Sequence, residues 1–172
     1  GVPPQRVGEV YGVFKAYCTR VGSGPFPSEL LDESGDLMRN TGKEFGSTTG
    51  RPRRCGWLDL VALKYAIMLN GVTRLFMMKT DVLSPFTELD ICTAYEINGK
   101  TGVEVPYDLV NCDVHPVFTT LEGWNTEVEK LESMEQAPAA LNEYIEFIEK
   151  ETGVPIDIVS IGPDRKQTLF RE

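Results

Sequence analysis

The sequence has little of what zinc sites, membrane spans and export signals require. It contains one histidine, His115, and its four cysteines form no C-x-x-C pair, so the spacing argues against a zinc site. No apolar run is long enough to span a bilayer, and the start at Gly1-Val2 lacks the basic and apolar regions of a signal peptide. This cysteine usage is typical of a reduced chain, and we expect a cytoplasmic location.

Positive charge is also scarce. Lysine and arginine number 17 against 26 aspartates and glutamates, which gives a formal net charge of -9. Nucleic acids and anionic membranes are therefore disfavoured as partners, because both are bound by basic faces. The segment Ser47–Leu58 is the exception, since it has no acidic residue but contains Arg51, Arg53 and Arg54. A local cationic site on an acidic protein indicates a small anionic ligand.

Strand and helix patterns alternate along the 172 residues, which suit one domain or part of one. Apolar runs predict strands at Phe14–Val21, Thr73–Met78, Leu89–Ile97, Val117–Leu121 and Ile156–Ile161. Helices are expected over 28–40 with Ser28 as N-cap, over Trp57–Asn70, and around Leu141, Tyr144, Ile145 and Ile148 up to Gly153. The Trp57–Asn70 helix is apolar nearly all round, which indicates burial. The alternation predicts an α/β fold with a mixed, largely parallel sheet flanked by helices.

A β-hairpin interrupts this alternation. Asn98-Gly99 is a strong two-residue turn signal, because both positions of that turn require positive φ. We expect Val103–Pro106 to pair back onto the preceding strand. Ligands of open α/β sheets bind outside the carboxyl ends of the strands, so the loops after Val21, Met78 and Ile161 are the expected site.

The segment Gly46–Arg54 is the richest in ligand-binding groups, with three hydroxyls, two glycines and three arginines. Pro52 favours an extended Arg51, so the side chains of Arg51 and Arg53 should share one face while Arg54 points away. Two guanidinium groups on one face suit a carboxylate and a phosphate. The alternative is a solvated basic loop that forms surface ion pairs.

Two shorter segments follow predicted strands. In Lys79-Thr80-Asp81, a carboxylate can accept both N1–H and N2–H of guanine, a donor pair that adenine lacks. In Ser160-Ile161-Gly162-Pro163, the glycine permits close approach of a flat ring to the backbone. Each segment alone is more typical of an ordinary turn at the end of a strand.

Several catalytic features are missing from the sequence. No G-x-x-x-x-G-K-[ST] phosphate loop is present, and no acid and base pair stands out for proton transfer. His115 precedes a proline in a polar stretch without a nucleophile signature, so we expect a structural or solvent role for it.

Taken in series, these motifs resemble the adenylosuccinate synthetase family over nearly the whole chain. The matching stretches are YCTRVGSGPFP at Tyr17–Pro27, GSTTGRPRRCGWLD at Gly46–Asp59, KTDVL at Lys79–Leu83, GVP at Gly153–Pro155 and SIGPDR at Ser160–Arg165. The resemblance implies a P-loop-NTPase-like architecture and an enzyme that ligates L-aspartate to IMP with GTP and Mg²⁺, for AMP biosynthesis. It also implies a cytoplasmic homodimer.

The resemblance assigns roles to individual residues. The mobile loop that closes on aspartate and faces IMP would comprise Ser47, Thr48, Thr49, Gly50, Arg51, Pro52 and Arg53. Val21 would contact the IMP ribose through its backbone, and Arg53 would also lie beside the GTP phosphates. The guanine pocket would comprise Lys79, Thr80, Asp81, Ser160, Ile161 and Gly162.

The sequence also departs from the family pattern. Family members are more than twice as long, and the part that carries their phosphate loop, proton-transfer residues and magnesium ligands has no counterpart here. We therefore expect residues 1–172 to be a C-terminal fragment without catalytic or metal-binding residues, inactive alone. Thr80 and Ser47 are milder departures, because the resemblance implies an apolar residue at position 80 and a small apolar residue at position 47. The alternatives are a non-catalytic guanine-nucleotide-binding module and a structural or interaction domain whose arginine loop is solvent-exposed surface without a ligand.

Overall fold

The computed structural model describes residues 1–3, 6 and 8–171, which form a mixed α/β fold. The strands are β1 (Tyr11–Lys15), β2 (Cys18–Arg20), β3 (Arg54–Gly56), β4 (Leu58–Asp59), β5 (Arg74–Met78), β6 (Glu88–Ile97), β7 (Lys100–Gly102), β8 (Val114–Glu122), β9 (Ile156–Ser160) and β10 (Thr168–Phe170). The helices are α1 (Glu33–Thr41), α2 (Leu60–Asn70) and α3 (Ala139–Thr152), with short 3-10 turns at Thr80–Leu83 and Met134–Gln136. The predicted mixed α/β class is confirmed.

One four-stranded sheet, in the order β1-β5-β9-β10, positions the predicted site. Strands β1, β5 and β9 are parallel, and β10 adds an antiparallel edge. The register pairs Lys15 with Met78 and Met77 with Val159. The carboxyl ends of the three parallel strands therefore lie side by side.

The hairpin belongs to a second sheet built around β6. Strand β8 pairs along one side of β6, while β4 and β7 pair along the other. Asn98 and Gly99 both have positive φ, 52° and 74°, which confirms the turn. The expected return over Val103–Pro106 is wrong, because a two-residue turn starts the pairing at once, at Lys100.

The expected strand over Phe14–Val21 is also wrong, because the chain changes sheets within it. Strand β1 ends at Lys15, and β2 begins at Cys18 and pairs with β3 in a separate two-stranded sheet. Ala16 between them is fully buried. Its N–H donates to the Met78 carbonyl at 2.8 Å, and its carbonyl accepts from the Tyr144 hydroxyl at 2.6 Å.

Helix α1 begins later than the sequence suggested. Asp32 is the N-cap and accepts from the backbone N–H groups of Ser34 and Gly35, at 3.0 and 3.2 Å. Ser28 is instead buried and donates its hydroxyl to the Trp57 carbonyl at 2.8 Å. A buried tertiary acceptor thus replaced the local capping role that its position predicted.

Helix α2 ends as predicted at a left-handed Gly71, and Asp59 caps its start by accepting from the Ala62 N–H. The expectation of complete burial is wrong for the described residues. Leu60 and Val61 are buried, whereas side chains farther along are exposed, with fractions of 44% for Tyr65, 65% for Met68 and 62% for Leu69.

Helix α3 follows its predicted pattern and closes the main core. Its four predicted core residues, Leu141, Tyr144, Ile145 and Ile148, are all buried, and Gly153 ends the helix with positive φ. Among the described residues, no helix combines the length and apolarity needed to cross a bilayer.

We predict that Tyr144→Phe destabilises the fold by about 1–3 kcal/mol, because it leaves the buried Ala16 carbonyl without its hydroxyl donor. The measurement is urea denaturation of the purified protein. Tyr65→Phe, on the exposed face of α2, is the matched control and should change stability by less than about 0.5 kcal/mol. Equal effects of the two substitutions would contradict the assigned role of the bond.

Candidate functional site

A cleft of about 420 Å³ opens at the carboxyl ends of β5 and β9. The side chains and backbone that line it come from the end of α1, from β5, from the end of β9, from the segments that follow β5 and β9, and from the start of β10. The lining residues are Thr41, Gly42, Lys43, Phe76, Met78, Lys79, Asp81, Val82, Ser160, Gly162, Pro163, Asp164, Arg165 and Thr168. Two sequence-predicted segments, around Lys79 and around Ser160, therefore meet in one cleft.

Asp81 is the acidic group of this cleft. It lies in the 3-10 turn after β5, and burial raises the pKa of its carboxyl. In the described part of the chain, its buried Oδ1 atom accepts no hydrogen bond. A buried acceptor without a donor costs free energy in the folded state, and a ligand that supplies N–H donors would remove that cost.

Other predicted cleft residues have their side chains turned into the protein. Thr80 is buried and donates its hydroxyl to the Ser160 carbonyl at 2.9 Å, which ties the ends of β5 and β9 together. Ile161 is buried in the main core. The Ser160 hydroxyl donates to the Gly162 carbonyl at 3.0 Å. Thr80 and Ile161 can therefore reach a ligand only through their backbones.

The arginine loop is closed at its base and exposed at its tip. Phe45 and Pro52 form an isolated antiparallel β-bridge. The Gly46 N–H donates to the Arg51 carbonyl at 2.8 Å, and the Gly50 N–H donates to the Gly46 carbonyl at 2.8 Å. Gly50 has positive φ, 65°. The hydroxyl residues of the tip, Ser47, Thr48 and Thr49, are exposed.

The three arginines have different surroundings. Arg54 forms an ion pair with Glu29 and donates to the carbonyls of Gly22 and Gly24, so it holds the preceding loop in place. Arg53 donates to the Glu44 carboxylate at 2.7 Å, on another side of the loop. The Arg51 side chain is exposed and, within the described residues, has no ion pair. The predicted divergence of Arg53 and Arg54 is present.

Val21 lies directly after β2. The antiparallel register pairs Arg20, the residue before Val21, with Arg54. The Val21 side chain is 71% exposed.

His115 lies on β8, in the other sheet, and its imidazole is 3.2 Å from the Asp113 carboxylate at the surface.

Sequence reasoning missed Glu44, the central charged group of the site. Its carboxylate has no exposed surface and accepts from Lys15, Tyr17, Arg53 and Lys79, at 2.7, 2.5, 2.7 and 3.1 Å. Burial favours the neutral acid, but the hydrogen bonds from these four side chains outweigh it and lower the pKa of Glu44 to about 2. The signal available in the sequence was Glu44 itself, a single acidic residue two positions before the arginine-rich segment Gly46–Arg54.

The match to known proteins decides the family. The family model described as adenylosuccinate synthetase matches residues 1–169. The chain belongs to the adenylosuccinate synthetase family. The adenylosuccinate synthetase of Cytophaga hutchinsonii is 57% identical over 173 residues, which cover 100% of this chain and 40% of that protein. The enzyme of Flavobacterium johnsoniae is 58% identical over 171 residues, covering 99% of this chain and 40% of that protein.

A solved structure of the family has the same fold. The fully ligated adenylosuccinate synthetase from Plasmodium falciparum superposes with a TM-score of 0.92 at 33% identity, covering 100% of this chain and 42% of that one. The chain thus spans about two fifths of the length of the adenylosuccinate synthetases it matches.

We predict that the stabilising effect of the Glu44 charge depends on pH. The folded state binds this proton more weakly than the unfolded state, so the charge stabilises the fold above about pH 5. That contribution, on the order of 3 kcal/mol, is lost as the pH falls toward 2. Urea denaturation should show a larger stability difference between wild type and Glu44→Gln at pH 7 than at pH 3.

The exposed Glu127 provides the control for this experiment. Glu127→Gln should change stability by less than about 0.5 kcal/mol at both pH values. If the Glu44→Gln difference is the same at pH 7 and pH 3, the carboxylate does not carry the assigned charge.

Proposed function

We propose that residues 1–172 are the C-terminal portion of an adenylosuccinate synthetase, the enzyme that joins L-aspartate to IMP in purine nucleotide biosynthesis with hydrolysis of GTP to GDP and phosphate. In this proposal the chain binds the guanine base of GTP and presents the arginine loop to aspartate and IMP. The observation that carries it is the cleft in which Asp81 has a buried, unsatisfied acceptor at the ends of parallel strands.

Guanine recognition in the cleft follows from its donors and acceptors. The Asp81 carboxylate accepts from guanine N1–H and N2–H, which supplies the donors that Oδ1 lacks. The aliphatic part of Lys79 lies along the base while its ammonium group stays in polar surroundings. Ser160, Ile161 and Gly162 contribute backbone contacts to the ring, and Thr80 fixes the distance between the two segments.

The arginine loop would bind the second and third reactants. Thr48, Thr49 and Arg51 are exposed at its tip and supply hydroxyl and guanidinium donors to the aspartate carboxylates. Arg51 also faces IMP, whose ribose contacts the Val21 backbone. Arg53, at the base of the loop, neutralises charge between aspartate and the GTP phosphates. These residues position substrates and stabilise negative charge, and they transfer no proton.

The family also uses Mg²⁺. Within residues 1–3, 6 and 8–171, no group of three or more His, Cys, Asp or Glu side chains is arranged to bind an ion. No step of the proposal therefore uses a metal held by this chain. The magnesium ligands, the phosphate loop and the proton-transfer residues would belong to the remaining part of the full-length enzyme, which is proposed to be a cytoplasmic homodimer.

We predict that the protein binds GTP in preference to ATP and that Asp81→Asn weakens GTP binding at least tenfold. The substitution replaces an acceptor-only group by one that presents a donor to guanine N1–H or N2–H. The measurement is calorimetric titration with GTP and ATP. Asp164→Asn, at the rim of the same cleft, is the control, because its carboxylate already accepts from the Lys166 N–H.

Two outcomes would count against the guanine pocket. One is equal affinity of the wild-type protein for GTP and ATP. The other is an Asp81→Asn variant that keeps its GTP affinity or loses no more than Asp164→Asn does.

We predict that the chain alone makes no adenylosuccinate and that activity appears when it is produced together with the N-terminal part of a family member. Arg51→Leu should reduce the restored rate at least a hundredfold, because it removes a substrate-binding guanidinium from the loop. The measurement is adenylosuccinate formation from IMP, aspartate and GTP. Lys130→Leu removes a charge that is 88% exposed and should leave the rate unchanged.

This experiment separates the ligase from a stand-alone nucleotide-binding module. Activity of the chain by itself would contradict the proposed division of labour. A combined preparation that binds GTP but forms no product would support the binding module instead.

A further inference from the structure

Glu44 connects the two predicted binding segments, although neither of them contains it. Its Oε1 atom is 2.7 Å from Lys15 Nζ and 3.1 Å from Lys79 Nζ, and its Oε2 atom is 2.7 Å from Arg53 Nη1. Tyr17 completes the set with its hydroxyl 2.5 Å from Oε1. One carboxylate therefore joins the end of β1, the segment after β5 and the base of the arginine loop.

The charges in this cluster are unequal. Three cations surround one carboxylate, and the side chains of Lys15, Arg53 and Lys79 are 27%, 32% and 33% exposed, whereas Glu44 is fully buried. Without Glu44 the three cations would repel one another at close range. A buried carboxylate with this many donors is held in place, because moving it would break several hydrogen bonds to a buried charge.

The backbone of Glu44 holds the same loop. Its carbonyl accepts from the Arg53 N–H at 2.9 Å, and its N–H donates to the Arg39 carbonyl at 2.9 Å. Arg53 is thus bound to Glu44 twice, once through its backbone and once through its guanidinium. Any shift of Glu44 must move the base of the loop.

Lys79 is held in an unusual conformation on the cleft side. Its φ is 63°, in the left-handed region that residues other than glycine rarely adopt. Its ammonium group donates to the Gly42 carbonyl at 2.6 Å as well as to Glu44. A Cβ atom on Gly42 would lie 2.4 Å from the Tyr17 hydroxyl oxygen, so the cluster requires glycine there. Strained backbone that the surroundings fix in this way is typical of functional sites.

We propose that Glu44 is a positioning residue that fixes Lys79 of the cleft and Arg53 of the loop relative to each other, so that the cleft and the loop respond together when a nucleotide binds. The part about the nucleotide rests on the proposed function. The part about positioning rests only on the contacts of the Glu44 carboxylate.

The first test needs no ligand and measures amide hydrogen exchange of residues 45–53 and 79–83. Glu44→Gln should raise exchange in both segments at least fivefold and leave the α3 segment, residues 139–152, unchanged. Glu29→Gln is the matched control, because it removes the carboxylate that pairs with Arg54, on a different side of the loop. It should leave residues 79–83 unchanged.

A second pair of variants keeps Glu44 itself and tests coupling across it. Lys79→Gln should raise exchange in residues 45–53, although Lys79 belongs to the cleft, because it changes the charge balance on the shared carboxylate. Lys43→Gln removes a neighbouring exposed cation and should have no such effect. If Lys79→Gln leaves the loop unchanged, or if Glu44→Gln loosens all segments alike, Glu44 only stabilises the fold and the proposal is overturned.

The nucleotide readout distinguishes this proposal from the proposed function. In the wild type, GTP should slow exchange both at residues 79–83 and in the loop. In Glu44→Gln, GTP should protect residues 79–83 but no longer the loop, with about tenfold weaker binding, or about 1.4 kcal/mol. Absence of any GTP binding to the wild type would overturn the proposed function. Full loop protection in Glu44→Gln would overturn the inference alone.

Discussion

Three parallel strands, β1, β5 and β9, end side by side, and the cationic groups at that edge need a buried anion between them. Glu44 is that anion, and the four donors on its carboxylate keep it charged although it has no exposed surface. The loop base and the strand ends are consequently held at fixed distances. The positions of the cleft and of the arginine loop both depend on this interaction.

The same edge leaves one acceptor unsatisfied. Asp81 lies two residues beyond Lys79, and within the described residues its buried Oδ1 atom accepts no hydrogen bond. The fold thus surrounds one carboxylate with donors and leaves an oxygen of a second one without a hydrogen bond. A site that discriminates through hydrogen-bond donors needs this arrangement, because a ligand without them leaves the buried acceptor unpaired.

Two errors of sequence reasoning share a cause. Ser28 has the local pattern of an N-cap, but its hydroxyl bonds to Trp57, which is 29 residues away. Residues Phe14–Val21 read as one strand, but buried Ala16 is held by Met78 and Tyr144, so the chain changes sheets there. Local patterns carry no information about such distant partners, whereas the α3 core stripe and the Asn98-Gly99 turn depend on local geometry and were predicted correctly.

The sequence by itself determined the mixed α/β class, the hairpin turn, the α3 face and the segments that meet at the site, because periodicity and turn chemistry are local. It also indicated an arginine loop suited to anions. Only the tertiary structure decided which ion pairs the arginines form within the described residues, and it alone revealed Glu44 as the common partner of Lys15, Arg53 and Lys79. The physical reason is that a buried carboxylate acquires its role from charges brought to it by parallel strand pairing, and those charges lie up to 35 residues away along the chain.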